Sequence, residues 1–383
     1  MQTLLTVAGF ILLGLAAGYA LMAVAAAIAW RRQRRQNGAR QQPSISLLKP
    51  LCGAEPGLYE HLRSFCQQDY PQFQIIFGVR DPADPACTVV RRLAGEFPSL
   101  PIELVIDPRL HGSNLKISNL LNMLPQARHD IIVMADSDAF VGSDYLATVT
   151  APLLDSKIGL VTCIYRGMPT SSLWSRLGAM YINEWYVPSV LLAWLFGHEG
   201  YVSGQTICMR RDTLQAIGGL GTLADHLADD YQLGELVRAL GLRIVLSPYG
   251  VKGEHHEPSF DSLVRHELRW MRTIRVLRPN SFRLIFITFS LPLAALGIAA
   301  VAAGASLSTA AWCLFGISAA ARLVLHFVHR PGDDRAAMSD LWLLPVRDVL
   351  IGWVWFRSFF ISQVTWRGNE FDVDADGVMH PLS

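Results

Sequence analysis

"HDIIVMADSD", residues 129–138, is an unbroken apolar strand that ends on two carboxylates one residue apart. On either side of it the chain alternates short β-branched runs with amphipathic ones. "ISLLKPL" (45–51), "FQIIFGVR" (73–80), "PIELVID" (101–107) and "IGLVTCIYR" (158–166) are the other strand candidates. Between them "GLYEHLRSFCQQDY" (57–70), "ACTVVRRLAGEF" (86–97) and "LKISNLLNML" (115–124) place apolar residues at helical spacing. This alternation predicts an α/β domain over residues 43–282, built on a mostly parallel, Rossmann-like sheet with helices on both faces.

The 383 residues are 51% hydrophobic and carry a net charge of +1. With a positive mean hydropathy, the chain is more apolar than soluble domains usually are, so part of it belongs in lipid. Basic and acidic residues nearly cancel, 33 against 32, which removes the global electrostatic case for a nucleic-acid partner. Six cysteines without a CxxC pair argue against a structural zinc site or a disulfide framework, and fit a reducing compartment.

Residues 3–30 form one uncharged apolar run, long enough to cross a bilayer, followed by "RRQRR". Charge after the run, not before it, marks an uncleaved N-terminal anchor (1–30) with the following residues on the cytoplasmic side. "LIFITFSLPLAALGIAAVAAGA" (284–305) and "TAAWCLFGISAAARLVLHFV" (309–328) read as a transmembrane hairpin within a membrane region of 283–366. The stretch 341–364 is interrupted by Pro345, Arg347, Asp348 and Arg357. Because a charge at the bilayer centre costs about 3 kcal/mol, this stretch is expected to be interfacial or re-entrant. The alternative is a tilted fourth span with Arg347 and Asp348 paired. "RPGDDR" (330–335) reads as a solvated turn, and 367–383 as a cytoplasmic tail.

In an open α/β sheet, ligands bind beyond the carboxyl ends of the strands, where Asp136 and Asp138 lie. Two such carboxylates share a hard cation, Mg²⁺ or Mn²⁺, which neutralises a pyrophosphate; the alternative is an ordinary Asp-Ser-Asp turn. Asp229 and Asp230 open the amphipathic stretch "ADHLADDYQLGELVRAL" (224–240). They serve either as a helix N-terminal cap or as a held general base. In "RHELRWMRTIRVLRP" (265–279), helical spacing puts His266, Arg269 and Trp270 on one face. That face either binds a diphosphate and a sugar or lipid head, or rests as a basic interfacial helix on anionic headgroups. "EWYVPSVLLAWLFG" (184–197) is an amphipathic lip or a buried helix, and "GEHHEP" (253–258) a loop or a metal cluster.

The series Asp81/Asp84, Lys116, Asp136-Ser137-Asp138, Asp229-Asp230-Tyr231 and His266-x-x-Arg269-Trp270 resembles the motifs of membrane-bound inverting family 2/21 glycosyltransferases with the GT-A fold. More narrowly it is similar to ceramide glucosyltransferases and bacterial hopanoid glycosyltransferases, through "LLKPLCGAEPGLYEHL", "DPADPA", "HGSNLKISNLLNML", "HELRWMRTIR" and "WRGNEF". The resemblance implies that Asp81 or Asp84 contacts uridine, Lys116 and Asn119 the nucleotide, and Gly204 and Gln205 the donor sugar. It implies Asp136 and Asp138 as metal ligands, Asp230 as general base, and Arg269 and Trp270 with His266 at the leaving group. His266 departs from the pattern, which has Gln there.

Implied too are a UDP-sugar donor, a lipid acceptor in the bilayer and a multi-pass place in the bacterial inner membrane, with the catalytic domain facing the cytoplasm. The closer phrases favour transfer of N-acetylglucosamine from UDP-N-acetylglucosamine to bacteriohopanetetrol, with a downstream deacetylase as a further partner. The alternative is transfer of glucose from UDP-glucose to ceramide. A polysaccharide synthase would need more spans, and a nucleotide-sugar-binding scaffold would need no base.

Overall fold

The computed structural model describes residues 1–33, 42–198, 200–328, 334–361, 363–366, 369–374 and 376–381. Arg34 and Arg35, most of the turn expected at 330–335, and the centre of "WRGNEF" lie outside the described residues. The first elements are α1 (Gln2–Arg31), β1 (Ile45–Pro50), α2 (Leu58–Cys66), β2 (Phe73–Val79), α3 (Ala86–Glu96), β3 (Ile102–Ile106), α4 (Leu115–Met123) and β4 (Ile131–Met134). Next come β5 (Ala139–Phe140), α5 (Tyr145–Thr150), β6 (Ile158–Pro169), α6 (Leu173–Tyr181), α7 (Val187–Leu195), β7 (Ile207–Arg210), α8 (Arg211–Ala216), α9 (Asp229–Ala239) and β8 (Arg243–His255). The remainder is α10 (Phe260–Leu277), α11 (Pro279–Arg283), α12 (Ser290–Gly304), α13 (Thr309–Val328), α14 (Asp334–Asp340), α15 (Leu343–Ser358), β9 (Gln363–Trp366), β10 (Asn369–Val373) and β11 (Met379–Pro381).

The chain divides into two compact units, and the sheet unit comprises Arg34–Arg166, His198–Glu254 and Phe371–Ser383. Its strands run in the order β3-β2-β1-β4-β7-β6-β8-β5. β1 pairs in parallel with β2 and β4, and β2 with β3, whereas β7 is antiparallel to both β4 and β6. Consecutive side chains go to opposite faces, yet Leu47 and Leu48, Ile75 and Ile76, and Ile132 and Val133 are all fully buried. One member of each pair packs with Leu62 and Phe65 of α2 and Val90 of α3; the other packs with Ile117 of α4 and Leu233 of α9. A sheet covered on both faces is what the unbroken apolar runs required. The order reverses between β1 and β4, which opens a crevice at their carboxyl ends.

β7 and β8 were not legible beforehand. β7 has four residues, and Pro248, Gly250 and Gly253 within β8 are turn formers that mask a strand. The residues expected as a tail are folded: β10 pairs antiparallel with β11, with Phe371 opposite Pro381. The Met379 N–H donates to the Asp225 carbonyl at 2.8 Å, and the Leu227 N–H to the Gly377 carbonyl at 3.0 Å.

The helical unit comprises Met1–Gln33, Gly167–Gly197 and His255–Glu370. α1 and α13 are long and apolar enough to cross a membrane. α12, the first arm of the expected hairpin, has only 15 residues because a 3-10 turn at Ile285–Thr288 breaks the apolar run before it. At 1.5 Å per residue that is about 22 Å, short of a bilayer core. Glycines bring α12 against α1: a Cβ on Gly9 would lie 2.6 Å from the Gly297 carbonyl oxygen, and one on Gly297 2.9 Å from that of Gly9. Small residues allow such backbone approach in lipid. Val7, Ile11, Leu21, Trp312, Val349 and Phe356 are exposed, an apolar surface of the kind acyl chains cover.

Arg347 and Asp348 of α15 find charged partners, though not each other. Arg347 binds Glu267 of α10, while Asp348 accepts from Arg322 of α13 at 2.9 to 3.1 Å. Arg322 also meets Glu184 at 2.8 Å, and Glu184 accepts from His326 Nδ1 at 2.7 Å. Burying such charges unpaired would cost several kcal/mol each, on the order of the pairing energy itself.

The stretch 184–197 is the end of a π turn (Ile182–Tyr186) followed by α7. It is anchored on α1 by a Tyr19–Ser189 hydrogen bond of 3.1 Å and an edge contact of Trp30 with Trp194. The units therefore cut the chain differently from the expected boundaries, because an amphipathic pattern shows that a face is buried but not against what.

Candidate active site

β4 delivers the acidic pair. Its ladder with β1 ends at Leu48 opposite Met134, and Asp136 and Asp138 follow just beyond. Lys49, near the end of β1, is fully buried and donates to the Asp136 carbonyl at 2.7 Å, with its ammonium 3.5 Å from the Phe65 ring centre. Burial pushes its pKa down to about 7, against the pull of Asp138 and Asp136. Lys49 was missed in the sequence; the signal was a lysine inside an apolar strand.

α4 supplies the second ammonium. Asn114 caps the helix by accepting from the Ile117 N–H, and its amide also donates to the His226 carbonyl at 2.9 Å, tying the start of α4 to the approach of α9. Lys116 thereby lies 2.7 Å from Asp136 Oδ1 and 3.8 Å from Asp229 Oδ2. Burial opposes its charge, but Asp136, Asp229 and Asp230 more than offset that and hold its pKa above the usual lysine range.

The two remaining carboxylates are held separately. Asp138 accepts from Gln205 Nε2 at 3.0 and 3.2 Å. Burial and the neighbouring Asp136 raise it to about 6. Asp230, in the first turn of α9, accepts the Gly204 N–H at 3.1 Å on Oδ2 and the Tyr231 N–H at 2.7 Å on Oδ1. Burial and Asp229 raise it to about 6, with Lys116 and the two N–H groups pulling the other way. A carboxylate so tuned matches the demand on a general base near neutral pH.

Glycine at 204 leaves room for the Lys116 ammonium. A Cβ there would sit 2.7 Å from Lys116 Nζ and 3.2 Å from Asp136 Oδ2. Because the ammonium ends a flexible chain, Gly204→Ala is expected to displace Lys116 while the backbone stays put. Affinity for the nucleotide-sugar donor that the resemblance implies should fall about 10-fold, roughly 1.4 kcal/mol, with the melting temperature nearly unchanged; calorimetric titration of that donor checks this.

Asp84 and Asn119 have other partners. The Asp84 carboxylate accepts the Gly53 N–H at 2.9 and 3.1 Å and the Ala86 N–H at 2.8 Å, fixing a loop and the start of α3. Asp81 is exposed and accepts from the Ala83 N–H. The buried Asn119 donates to the Gly78 carbonyl at 2.8 Å and joins the ends of β1 and β2, while its Oδ1 has no partner among the described residues.

In the helical unit, the His266 and Trp270 rings are 4.1 Å apart, as one helical turn predicts, and Trp270 also meets Tyr181 at 5.2 Å. Two basic residues of α10 are held by protein: Arg272 is buried, and Arg275 donates to the carbonyl of Ser358, which ends α15, and to that of Ile361 just beyond it.

The pattern of Glycosyl transferase family 21 matches residues 10–379. The chain belongs to that family. Ceramide glucosyltransferase 3 of Caenorhabditis elegans is 23% identical over 358 residues, which cover 88% of this chain and 74% of that protein. Ceramide glucosyltransferase 1 of the same organism is 24% identical over 242 residues, 62% of this chain and 51% of that one. Among solved structures, the mannosyltransferase PcManGT from Pyrobaculum calidifontis, in complex with GDP-Man and Mn²⁺, superposes with a TM-score of 0.53 at 18% identity, covering 93% of this chain and 98% of that one. That likeness concerns the fold, the GT-A arrangement of sheet and helices. As a member of family 21, the chain is a glycosyltransferase.

Proposed function

We propose that this family 21 chain transfers glucose from UDP-glucose to the hydroxyl of ceramide, in a single inverting displacement at a membrane. The observation that carries the reading is the cluster in which Lys116 serves Asp136 and Asp229, while Gln205 holds Asp138 and the Gly204 N–H holds Asp230. The all-oxygen donor set of Asp136 and Asp138 fits a hard Mg²⁺ or Mn²⁺ ion. Burial beside another carboxylate, which has raised Asp138, is the stress a cation relieves. When bound, the ion offsets charge on the departing diphosphate. Asp230 takes the proton of the attacking hydroxyl, and the Gly204 N–H keeps the carboxylate oriented. Lys116 holds Asp136 in place and adds positive charge for the donor.

The roles of Arg269, Trp270 and His266 at the leaving group, of Asp81 at uridine, and of Gln205 at the donor sugar belong to the same proposal. Ceramide as acceptor follows the two relatives and replaces the hopanoid expectation, which neither relative supports. The span-length helices α1 and α13 and the exposed apolar surface support a multi-pass place in the cytoplasmic membrane.

The test pairs UDP-glucose and UDP-N-acetylglucosamine with ceramide and bacteriohopanetetrol, with Mn²⁺ or EDTA, and reads the lipid by mass spectrometry. Glucosylceramide made only with the metal is the expected product. A glycosylated hopanoid would restore the first expectation, and no product in any combination would overturn the reading.

Metal binding is expected to appear without turnover. Mn²⁺ at 100 times its Kd should stabilise the fold by about 2.7 kcal/mol, an effect reversed by EDTA and absent in Asp138→Asn. Without metal, Asp138 binds its proton more tightly in the folded chain than in the unfolded one, so stability falls as pH rises from its ordinary value through about 6. Metal affinity should rise over the same window as the proton leaves, which thermal melts at several pH values would read.

A further inference from the structure

The run 253–258 reads in the sequence as a loop or a metal cluster. The fold brings His255, at the end of β8, and Glu257 to His266 of α10, with ligand atoms all within 4.8 Å of one another. Two ligands on one tetrahedral ion, each about 2.0–2.2 Å from it, stand about 3.3 Å apart. His266 Nδ1 and Glu257 Oε1 are 2.7 Å apart, a direct hydrogen bond with no ion between them. The distance decides for a carboxylate–imidazole dyad.

Glu257 is held on every side. Its carboxylate is buried and accepts the Ser262 hydroxyl at 2.5 Å on the oxygen that His266 leaves. Its N–H donates to Ser175 Oγ at 2.7 Å, and its carbonyl accepts from Ser172 Oγ at 2.6 Å, the residue that caps α6. Burial pushes Glu257 upward, but the bonds from His266 and Ser262 outweigh it and keep the group below the usual glutamate range. His255 stacks on His266 at 5.5 Å and on Trp270 at 5.8 Å. Burial lowers His255 to about 4, so it is a neutral plate against which the His266 ring rests.

We infer that Glu257 is a positioning residue: its carboxylate accepts a hydrogen bond from the Nδ1–H of His266 and fixes the ring beside Trp270, leaving Nε2 as the atom offered to a phosphate oxygen of the nucleoside diphosphate. This deepens the proposed function and rests on it. It also accounts for the departure from the family pattern. A glutamine at position 266 donates through an amide that has neither tautomer nor charge, and needs no carboxylate behind it. A histidine does.

The experiment compares wild type, Glu257→Gln, His266→Gln and the double variant, purified at full length in detergent. Glu257→Gln should lower kcat about 10- to 100-fold, within the range of acid–base positioning, with donor KM within about 3-fold. In the His266→Gln background the same change should cost less than about 3-fold. Imidazole ¹⁵N spectra should show His266 fixed with Nδ1 protonated in wild type and a mixed tautomer in Glu257→Gln. An equal kinetic cost in both backgrounds would reduce Glu257 to a structural role. Stoichiometric zinc in the purified protein, lost in Glu257→Gln, would replace the dyad with a metal site. The spectra require no turnover, so a fixed Nδ1 tautomer without any lipid product would fail the proposed reaction and leave the dyad standing.

Discussion

Asp230→Asn lowers lipid glycosylation by about 10³-fold, within the span general bases contribute, while donor binding stays within a few-fold. The amide keeps the volume and its one oxygen still accepts the Gly204 N–H that now binds Oδ2, giving up the bond from the Tyr231 N–H on the other side, but it cannot take a proton. In wild type, kcat/KM should climb tenfold per pH unit below about 6, where burial and Asp229 have raised Asp230, and level off above it. The stability effect has the opposite sign. A carboxyl raised in the folded chain keeps its proton there longer than in the unfolded chain, so ionisation between its ordinary value and about 6 costs stability. The variant has no such ionisation and should melt at or above the wild-type temperature at pH 7, a trade between stability and activity. Product formation, donor titration and a thermal melt together decide it: an unchanged rate would sink the assignment of Asp230 as the base.

Arg347→Met should cost about 3–5 kcal/mol, the loss expected when one member of a buried ion pair is removed. Arg347 and Glu267 are 2% and 0% exposed and join through two bonds of 2.5 and 2.8 Å between α15 and α10. Methionine fills most of the volume but leaves the Glu267 carboxylate buried without its cation. Adding Glu267→Gln to Arg347→Met should recover much of the loss, because it removes the stranded charge. Thermal unfolding of the single and double variants in detergent separates charge from packing; a double variant as unstable as the single one would assign the effect to shape.

The sheet was readable where burial on both faces made a strand wholly apolar, as at 131–134. It was unreadable in β8, where Pro248 and two glycines interrupt the apolar pattern of a strand that lies between β6 and the two-residue edge strand β5. Asp136, Asp138 and Asp230 were legible because acids follow an apolar strand or open a helix. Lys49 was not, since a lysine before a proline reads as a strand simply ending. Composition flagged Arg347 and Asp348 as out of place in a membrane segment, but their partners lie 80 and 26 residues away, at Glu267 and Arg322. Hydropathy registers the charge and cannot register the pairing. The 3-10 turn at Ile285–Thr288, likewise, leaves no mark in an uninterrupted apolar run.

The small β10–β11 hairpin gives synthesis a sequence in time. Residues 371–381 clamp the segment 224–228 just ahead of Asp229, yet the ribosome makes them after α12, α13 and α15. A nascent chain thus carries every acidic residue of the site long before the loop that leads to them is closed. A chain ending at residue 368 is expected to be cut by protease at 224–228 far faster than the full one, since backbone bonds that close the segment are missing. Closure of the segment that leads to Asp229 is thereby deferred until the apolar helices have been made.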